Sequence, residues 1–161
     1  MALRTIREYG DPVLRKVCKP VKEMTPHLKT IIRDMYDTMY EADGVGLAGP
    51  QIGIRKRVCV VDCGEHPVTL INPEVLETEG EQEGTEGCLS VPGKYGVVKR
   101  PAHVKIKALD ENMQERILEA DDLEARAFLH EMDHLDGKLY TDFVIGELHD
   151  AGEMEVEEEE R

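Results

Sequence analysis

Aromatic and basic residues are scarce in this sequence of 161 residues. It has no tryptophan and only two phenylalanines, and its aromatic fraction is 4%. It has 20 Lys and Arg against 34 Asp and Glu, which gives a formal net charge of −14. Because nucleic-acid binding needs clustered Lys and Arg to meet the phosphates, this balance argues against nucleic acid as a ligand.

Long uncharged segments are missing as well. The longest, residues 44–54, has 11 residues and is rich in glycine, whereas a membrane-spanning helix needs about 20 apolar residues. The first eight residues lack the apolar core of a signal peptide. We therefore expect a cytoplasmic protein without membrane contact, and its 40% of hydrophobic residues can supply the core of one domain.

The four cysteines do not predict a disulfide framework, since thiols in the cytoplasm are normally reduced. Cys59 and Cys63 lie in a strand-like segment, where their side chains share a face about 13 Å apart. That separation is too large for both to bind one metal, so we interpret them as packing residues. Cys18 has no partner in the sequence and is interpreted as structural.

Acidic residues are concentrated at the end of the chain. Residues 147–161 contain eight acidic residues and one basic residue, a composition typical of a solvated tail without fixed structure. No internal repeat or linker precedes this segment. The sequence therefore predicts a single catalytic domain over residues 1–146 and an acidic, disordered tail over residues 147–161, whose expected role is solubility.

The most informative segment is the HExxH motif at residues 130–134. His130 and His134 are one turn apart on the same helical face, so both imidazoles can hold one divalent cation. Glu131 lies beside the first ligand and can reach the water bound to that cation. The motif predicts the core of a metal-dependent hydrolase.

The residues around this motif predict a partly buried helix over about residues 122–135. Asp121 or Asp122 can serve as its N-cap, and Gly137 follows its end. Its apolar positions, expected to be buried, are Leu123, Ala127, Phe128 and Leu135. Because buried imidazoles and a buried carboxylate are costly without a partner, a metal ion is their natural partner.

A second helix and several short strands indicate the fold class. Thr25 and Pro26 can begin an amphipathic helix over residues 25–41 that buries one apolar stripe. The predicted strands are residues 57–62, 68–76, 103–109 and 116–119, with a turn at residues 110–112. This pattern predicts an α+β domain of mainly antiparallel sheets wrapped around a central HExxH-bearing helix, with an N-terminal amphipathic helix.

The two histidines supply two ligands, whereas a catalytic zinc site has three protein ligands. A third ligand must therefore come from elsewhere in the sequence. In the longer motif HExxHxxGxxH the third ligand would fall at position 140, which is a tyrosine here. Glu153 and Glu155 are downstream candidates, but they lie in the predicted tail. The EGCLS segment at residues 86–90 offers Cys88, whose thiolate completes three ligands and leaves a fourth position for water.

Three motifs together resemble the peptide deformylase family. They are, in order, GVGLAGPQ at residues 44–51, EGCLS at residues 86–90 and HEMDH at residues 130–134. The resemblance covers about residues 4–145 and implies the same α+β fold. Gly49 stands where the family usually has alanine, and Leu129 stands where glutamine usually precedes HExxH. Neither difference removes a catalytic atom.

The resemblance supports the metal ligands and general base predicted above and implies two oxyanion donors. The full set is Cys88, His130 and His134 for the metal, Glu131 as the base, and the backbone N–H of Leu89 with the side-chain amide of Gln51 as the donors. We expect an extended peptide to pair with a strand edge beside an apolar pocket. The candidate substrate-binding residues are Val45, Gly46, Leu123 and Ala127. Arg100 and Glu86 either pair to hold the Cys88 loop or are ordinary surface charges, and both alternatives stay open.

The resemblance also implies the reaction, the metal and the partners. Family members remove the N-formyl group from the N-terminal formyl-methionine of newly made polypeptides and release formate. Ligand softness alone fits zinc, whereas the resemblance implies native Fe2+, with Zn2+, Ni2+ or Co2+ as replacements in purified protein. We expect N-formyl-Met nascent peptides as substrates, transient proximity to the ribosome without direct nucleic-acid binding, and a monomer.

Other functions fit parts of the sequence. HExxH alone is compatible with a zinc endopeptidase, which would need an extended cleft and a different third ligand. A family member that binds metal or peptide without turnover is a second alternative, but all the catalytic side chains are intact. A phosphate-binding loop at residues 44–51 is disfavoured because the segment lacks the Lys-Ser/Thr ending of such loops.

Overall fold

The structure is a computed structural model that describes residues 2–64 and 66–150. Its strands and helices are β1 (Gly46–Ala48), β2 (Val58–Asp62), β3 (Pro67–Glu79), β4 (Gln82–Cys88), β5 (Val91–Arg100), β6 (His103–Leu109), β7 (Glu115–Asp121), β8 (Val144–Asp150), α1 (Pro26–Glu41) and α2 (Asp122–Leu135). One sheet has the order β1-β2-β3-β6-β7 and the other β4-β5-β8, and every strand pair in them is antiparallel. The predicted α+β class with antiparallel sheets is confirmed.

Helix α1 packs one apolar stripe against the first sheet. It begins at Pro26, and the side-chain oxygen of Thr25 accepts a hydrogen bond from the backbone N–H of Leu28 at 3.0 Å. The buried stripe consists of Leu28, Ile31, Ile32, Met35 and Met39. These side chains share a core cluster with residues of β1, β2 and β3, so the methionines of this helix are core residues.

Helix α2 carries the HExxH motif and packs on the other part of the core. Asp121 occupies its N-cap position but makes no capping bond, because its carboxylate lies 2.6 Å from the His103 ring instead. The expectation that Leu123 is buried was wrong. Its side chain is 56% exposed, since it lies in the first turn beside the cavity described below, whereas Ala127 is buried.

The second sheet contains strands that the sequence pattern missed. The only buried side chain of β4 is Glu86, so this strand lacks the apolar alternation by which strands are recognised. The prediction that residues 147–150 belong to a disordered tail is wrong, because they are part of β8 and pair with β5. The rest of the predicted tail, residues 151–161, lies outside the described residues.

Three of the cysteines have the packing roles predicted for them. Cys18 and Cys59 are buried in one core cluster, and half-buried Cys63 packs against it. None of the four cysteines, all of which lie in the described residues, forms a disulfide. Within residues 2–64 and 66–150, no helix combines the length and apolar character needed to cross a membrane.

Candidate metal centre and active site

The C-terminal half of α2 and the end of β4 bring three metal-binding side chains together. The Sγ of Cys88 lies 3.4 Å from the Nε2 of His134, and the ligand atoms of Cys88, His130 and His134 all lie within 4.8 Å of one another. Tetrahedral zinc with sulfur and nitrogen ligands places such atoms about 3.5 Å apart. The geometry of these three side chains therefore fits one metal ion.

A buried carboxylate fixes the orientation of His130. The Nδ1 of His130 lies 2.8 Å from the Oε1 of Glu86, which leaves Nε2 available as a ligand atom. Glu86 also accepts two hydrogen bonds from Arg100, at 2.8 and 2.9 Å, and one from Arg126 at 2.8 Å. Arg100 and Glu86 thus form a buried ion pair and are not surface charges.

Burial and neighbouring groups shift the pKa values of Glu86, His134 and His130 in different directions. Burial raises the pKa of Glu86, but the bonds from Arg100 and His130 outweigh it and lower that pKa to about 2. Burial lowers the pKa of His134 well below its ordinary value, so its imidazole is neutral, as a metal ligand must be. Burial also opposes charge on His130, but the neighbouring Glu131 and contacts with Cys88 and Glu86 raise its pKa.

Glu131 lies beside the ligands in a buried, unsatisfied environment. Its Oε1 and the Nδ1 of His134 are buried atoms without a hydrogen-bond partner in the described part of the chain. Burial raises the pKa of Glu131 to about 7, although His130 opposes the shift. Since a carboxyl group with a pKa near 7 can both take and give a proton at neutral pH, Glu131 is suited to general acid–base chemistry.

The position of Glu131 depends on Gly46. An ideal Cβ placed on Gly46 would lie 2.3 Å from the Oε2 of Glu131, closer than any side chain allows. The glycine at the start of β1 therefore makes room for the carboxylate.

Gln51 is buried next to Cys88. Its Oε1 accepts a hydrogen bond from the backbone N–H of Ala48 at 2.9 Å. Its Nε2 lies 3.0 Å from the Oγ of Ser90 and 3.4 Å from the Sγ of Cys88. Leu89 follows in the turn between β4 and β5, so both predicted oxyanion donors lie beside the ligand Cys88.

A cavity of about 430 Å3 opens over this group of residues. Its walls include all the predicted substrate-binding and catalytic residues and two of the three predicted metal ligands. They are Val45, Gly46, Leu123 and Ala127, together with Gln51, Cys88, Leu89, His130 and Glu131. Strands β1 and β4 are edge strands of their sheets, and residues of both line the cavity.

Several residues at the site were missed by sequence reasoning. Arg126 lies one helical turn before His130, so helical spacing could have indicated it. Tyr140 was considered only as a failed metal ligand, but its ring stacks on that of His130, with centroids 6.0 Å apart. Asp133 accepts a hydrogen bond from Arg100 at 2.6 Å. The contacts of Tyr140 and Asp133 had no signal in the sequence.

The two departures from the family pattern lie in tightly packed surroundings. An ideal Cβ on Gly49 would lie 2.7 Å from the backbone oxygen of Ile54 and 2.9 Å from that of Lys56, so alanine would require the backbone to shift. Leu129 is half-buried and packs against the apolar core. Each residue is therefore accommodated locally.

A thiol and two imidazoles around one ligand position, with a buried carboxyl group beside them, define a metal-dependent hydrolase. The sequence profile of the family described as polypeptide deformylase matches residues 3–148. The chain belongs to the peptide deformylase family. Members of this family are metal-dependent enzymes that remove the N-formyl group from nascent polypeptides.

Individual relatives are similar in sequence to this chain over most of its length. It is 57% identical to the peptide deformylase of Agathobacter rectalis, with 98% of this chain and 100% of that protein covered. It is 56% identical to peptide deformylase 1 of Clostridium acetobutylicum, with coverage of 88% and 95%. Among solved structures, peptide deformylase from Thermotoga maritima has a TM-score of 0.88 at 42% identity, and the alignment covers 91% of this chain and 100% of that one.

Proposed function

We propose that this chain is an active deformylase that hydrolyses the formyl amide of N-formyl-Met nascent peptides and releases formate. The observation that carries the proposal is the convergence of Cys88, His130, His134 and Glu131 at one cavity. The buried carboxyl group of Glu131, whose pKa is raised by burial, lies beside this metal-binding group and supports a role in proton transfer.

Each residue of the site has a role in this proposal. Cys88, His130 and His134 hold a divalent metal, which when bound supplies a Lewis acid that makes a water molecule more acidic. Glu131 takes a proton from the attacking water and later delivers it to the leaving nitrogen. The products are formate and a free amine, so the atoms of one water molecule are accounted for.

Gln51 and the backbone N–H of Leu89 stabilise the oxyanion that forms on the formyl oxygen. Both N–H groups of the Gln51 amide already have partners, the Oγ of Ser90 and the Sγ of Cys88. Donation to the oxyanion therefore replaces one of these bonds, and the contact with sulfur is the longer and weaker of the two.

The peptide substrate lies in the cavity as an additional strand. The edge strand β1 offers backbone groups near Val45 and Gly46, which pair with the extended peptide. The methionine side chain packs against Leu123 and Ala127. An exposed leucine at the cavity rim supports this role, since apolar contact with a substrate would cover it.

The remaining parts of the proposal concern the metal and the setting. Fe2+ is the native metal, and Zn2+, Ni2+ or Co2+ can replace it in purified protein. A single catalytic domain, predicted over residues 1–146 and extended to Asp150 by β8, has α2 as its central helix, with the sheets wrapped around it, and α1 as its N-terminal helix. The protein acts as a monomer in the cytoplasm, transiently close to the ribosome.

The direct test is formate release from a formyl-Met peptide. The protein is prepared without oxygen and loaded with Fe2+, and an acetyl-Met peptide serves as the control substrate. We expect release from the formyl peptide alone. The Glu131→Ala variant should keep its metal and lose most turnover. Absence of release from metal-loaded protein would favour the endopeptidase or non-catalytic alternatives, and full activity of Glu131→Ala would exclude the general-base role.

A further inference from the structure

Residues 7–18, here called the N-terminal strap, contact two motif segments of the site and the residue that follows the third. The backbone N–H of Arg7 donates to the carbonyl of Gln51 at 2.7 Å, and that of Tyr9 donates to the carbonyl of Ser90 at 2.6 Å. The backbone N–H of Cys18 donates to the carbonyl of Leu135 at 2.8 Å, directly after the HExxH segment. The mechanism proposed above does not use these three hydrogen bonds.

The first two bonds hold residues that are linked to each other at the site. The side chain of Gln51 donates to the Oγ of Ser90 at 3.0 Å, and Ser90 follows Leu89 in the chain. The strap therefore joins the backbones of two connections whose side chains meet next to Cys88. They are the short 3-10 helix after β1, Gly49–Ile52, and the turn between β4 and β5, and they are here called the two loops. Because the loops belong to different sheets, their spacing is set by such cross-links and by core packing.

The second half of the strap has anchors other than the backbone N–H of Tyr9. Asp11 caps a short 3-10 helix by accepting from the backbone N–H of Val13 at 3.0 Å. Leu14 in that helix is 1% exposed, and Arg15 pairs with Asp142 at 2.7 Å. Loss of one N–H at residue 9 would therefore leave the second half of the strap in place.

We propose that the strap is a positioning element for the oxyanion donors of the deformylase reaction, an inference that rests on the proposed function. Its N–H groups at residues 7 and 9 fix the spacing between Gln51 and the turn that carries Leu89. Donors that are held in place before reaction cost no reorganisation in the transition state, and small displacements of them are expensive. Arg7 and Tyr9 act through Gln51 and Ser90 and do not touch the substrate.

Tyr9→Pro tests this role by removing one backbone N–H. The backbone N–H of Asp11 donates to the carbonyl of Glu8 at 3.0 Å, and Gly10 has a φ of +100°. Residues 8–11 therefore form a β-turn with glycine at its third position. Proline is favoured at the second position of such turns, which is residue 9. The Tyr9 side chain is 60% exposed, and Tyr9→Ala is the matched reference because it loses the same side chain but keeps the N–H.

We expect kcat per metal-loaded molecule to be about tenfold or more lower in Tyr9→Pro than in Tyr9→Ala, with KM within about twofold. Hydrogen exchange should be faster in the proline variant for peptides covering residues 44–51 and 86–90, and unchanged in α1. A purely structural role would lower the melting temperature and speed exchange throughout, with kcat per loaded molecule preserved.

Equal kcat per loaded molecule in the two variants, or equal exchange in the two loops, would overturn the proposal. So would faster exchange spread evenly over the chain. If the unsubstituted protein releases no formate, the proposed function fails. The exchange rates then still decide whether the strap holds the two loops.

Discussion

At the scale of single residues, the site depends on the absence of a side chain at Gly46. Glu131 is buried against the backbone of Gly46, and no Cβ fits between them. The carboxyl group thereby stays out of water, which raises its pKa to about 7 and keeps it able to exchange protons at neutral pH. The glycine and the glutamate, 85 positions apart in the sequence, therefore form one functional unit.

Gly46→Ala should disable the reaction without removing the metal. The added methyl group would lie 2.3 Å from the Oε2 of Glu131, so the carboxylate must move away from its present position. We expect kcat to fall by about 100-fold, the range associated with a misplaced catalytic group, while the metal content stays at the level of the unsubstituted protein. Steady-state formate release with metal analysis of the same sample measures both. Unchanged kcat would show that the close approach has no catalytic role.

Local spacing predicts one part of the site, and the family resemblance supplies Cys88, Gln51 and Leu89. His130 and His134 share a helical face because they are four residues apart, and Glu131 follows from the same motif. Glu86 is different: its bonds reach Arg100, Arg126 and His130, which are 14, 40 and 44 positions away. The pair with Arg100 was one of two open alternatives, whereas the bonds to Arg126 and His130 could not be predicted because they exist only once the sheet packs on the helix.

At the scale of elements, Arg126 joins α2 to the second sheet. Its Nη1 donates to the Oε2 of Glu86 at 2.8 Å and to the backbone carbonyls of Gly84 and Val98 at 3.2 and 3.1 Å. These acceptors lie on β4 and β5, and the guanidinium is almost fully buried. Because Cys88 is on β4 and both histidines are on α2, the docking of these two elements sets the shape of the metal-binding group.

Arg126→Met should lower both the stability of the folded protein and its affinity for metal. Methionine keeps much of the buried volume but removes the donor from Arg126 to two backbone carbonyls, and it leaves the Oε2 of Glu86 with Arg100 as its remaining donor. We expect about 2 to 3 kcal/mol less stability towards urea and about tenfold or more weaker Co2+ binding in competition with a chelator.

The matched control is Arg116→Met on an exposed position of β7, for which neither quantity should change by more than a small amount. Equal Co2+ affinity in Arg126→Met and the unsubstituted protein would contradict the role of Arg126 in shaping the site. It would leave Glu86 and Arg100 alone responsible for the orientation of His130.

The helices and the second sheet differ in how far local sequence determines them. The bounds of α2, Asp122–Leu135, follow from apolar spacing and a terminal glycine, which act within a few residues. Strand β4 has a buried glutamate and several exposed polar positions, so its own sequence does not predict a strand. It forms a strand because β5 supplies its hydrogen bonds and two arginines compensate its buried charge.

At the scale of the whole molecule, the buried charges near the metal-binding group make stability depend on pH. Burial raises the pKa of Glu86, yet the bonds from Arg100 and His130 bring it down to about 2 from an ordinary value of 4.5. A carboxyl group with a lowered pKa stabilises the fold above its unfolded-state pKa. That contribution disappears as the pH falls from about 4.5 towards 2, and it amounts to about 3 kcal/mol at most.

Glu86→Gln isolates this contribution in chelator-treated protein. At pH 7 the variant should be less stable than the unsubstituted protein, and the gap should shrink by about 1 to 2 kcal/mol between pH 7 and pH 3. Urea unfolding at several pH values measures the gap. Glu83→Gln, on an exposed position of the same strand, should show a small gap at every pH. A Glu86→Gln gap that stays constant with pH would mean that the ionised carboxylate does not hold β4, β5 and α2 together, and that packing of the second sheet alone keeps Cys88 beside the histidines.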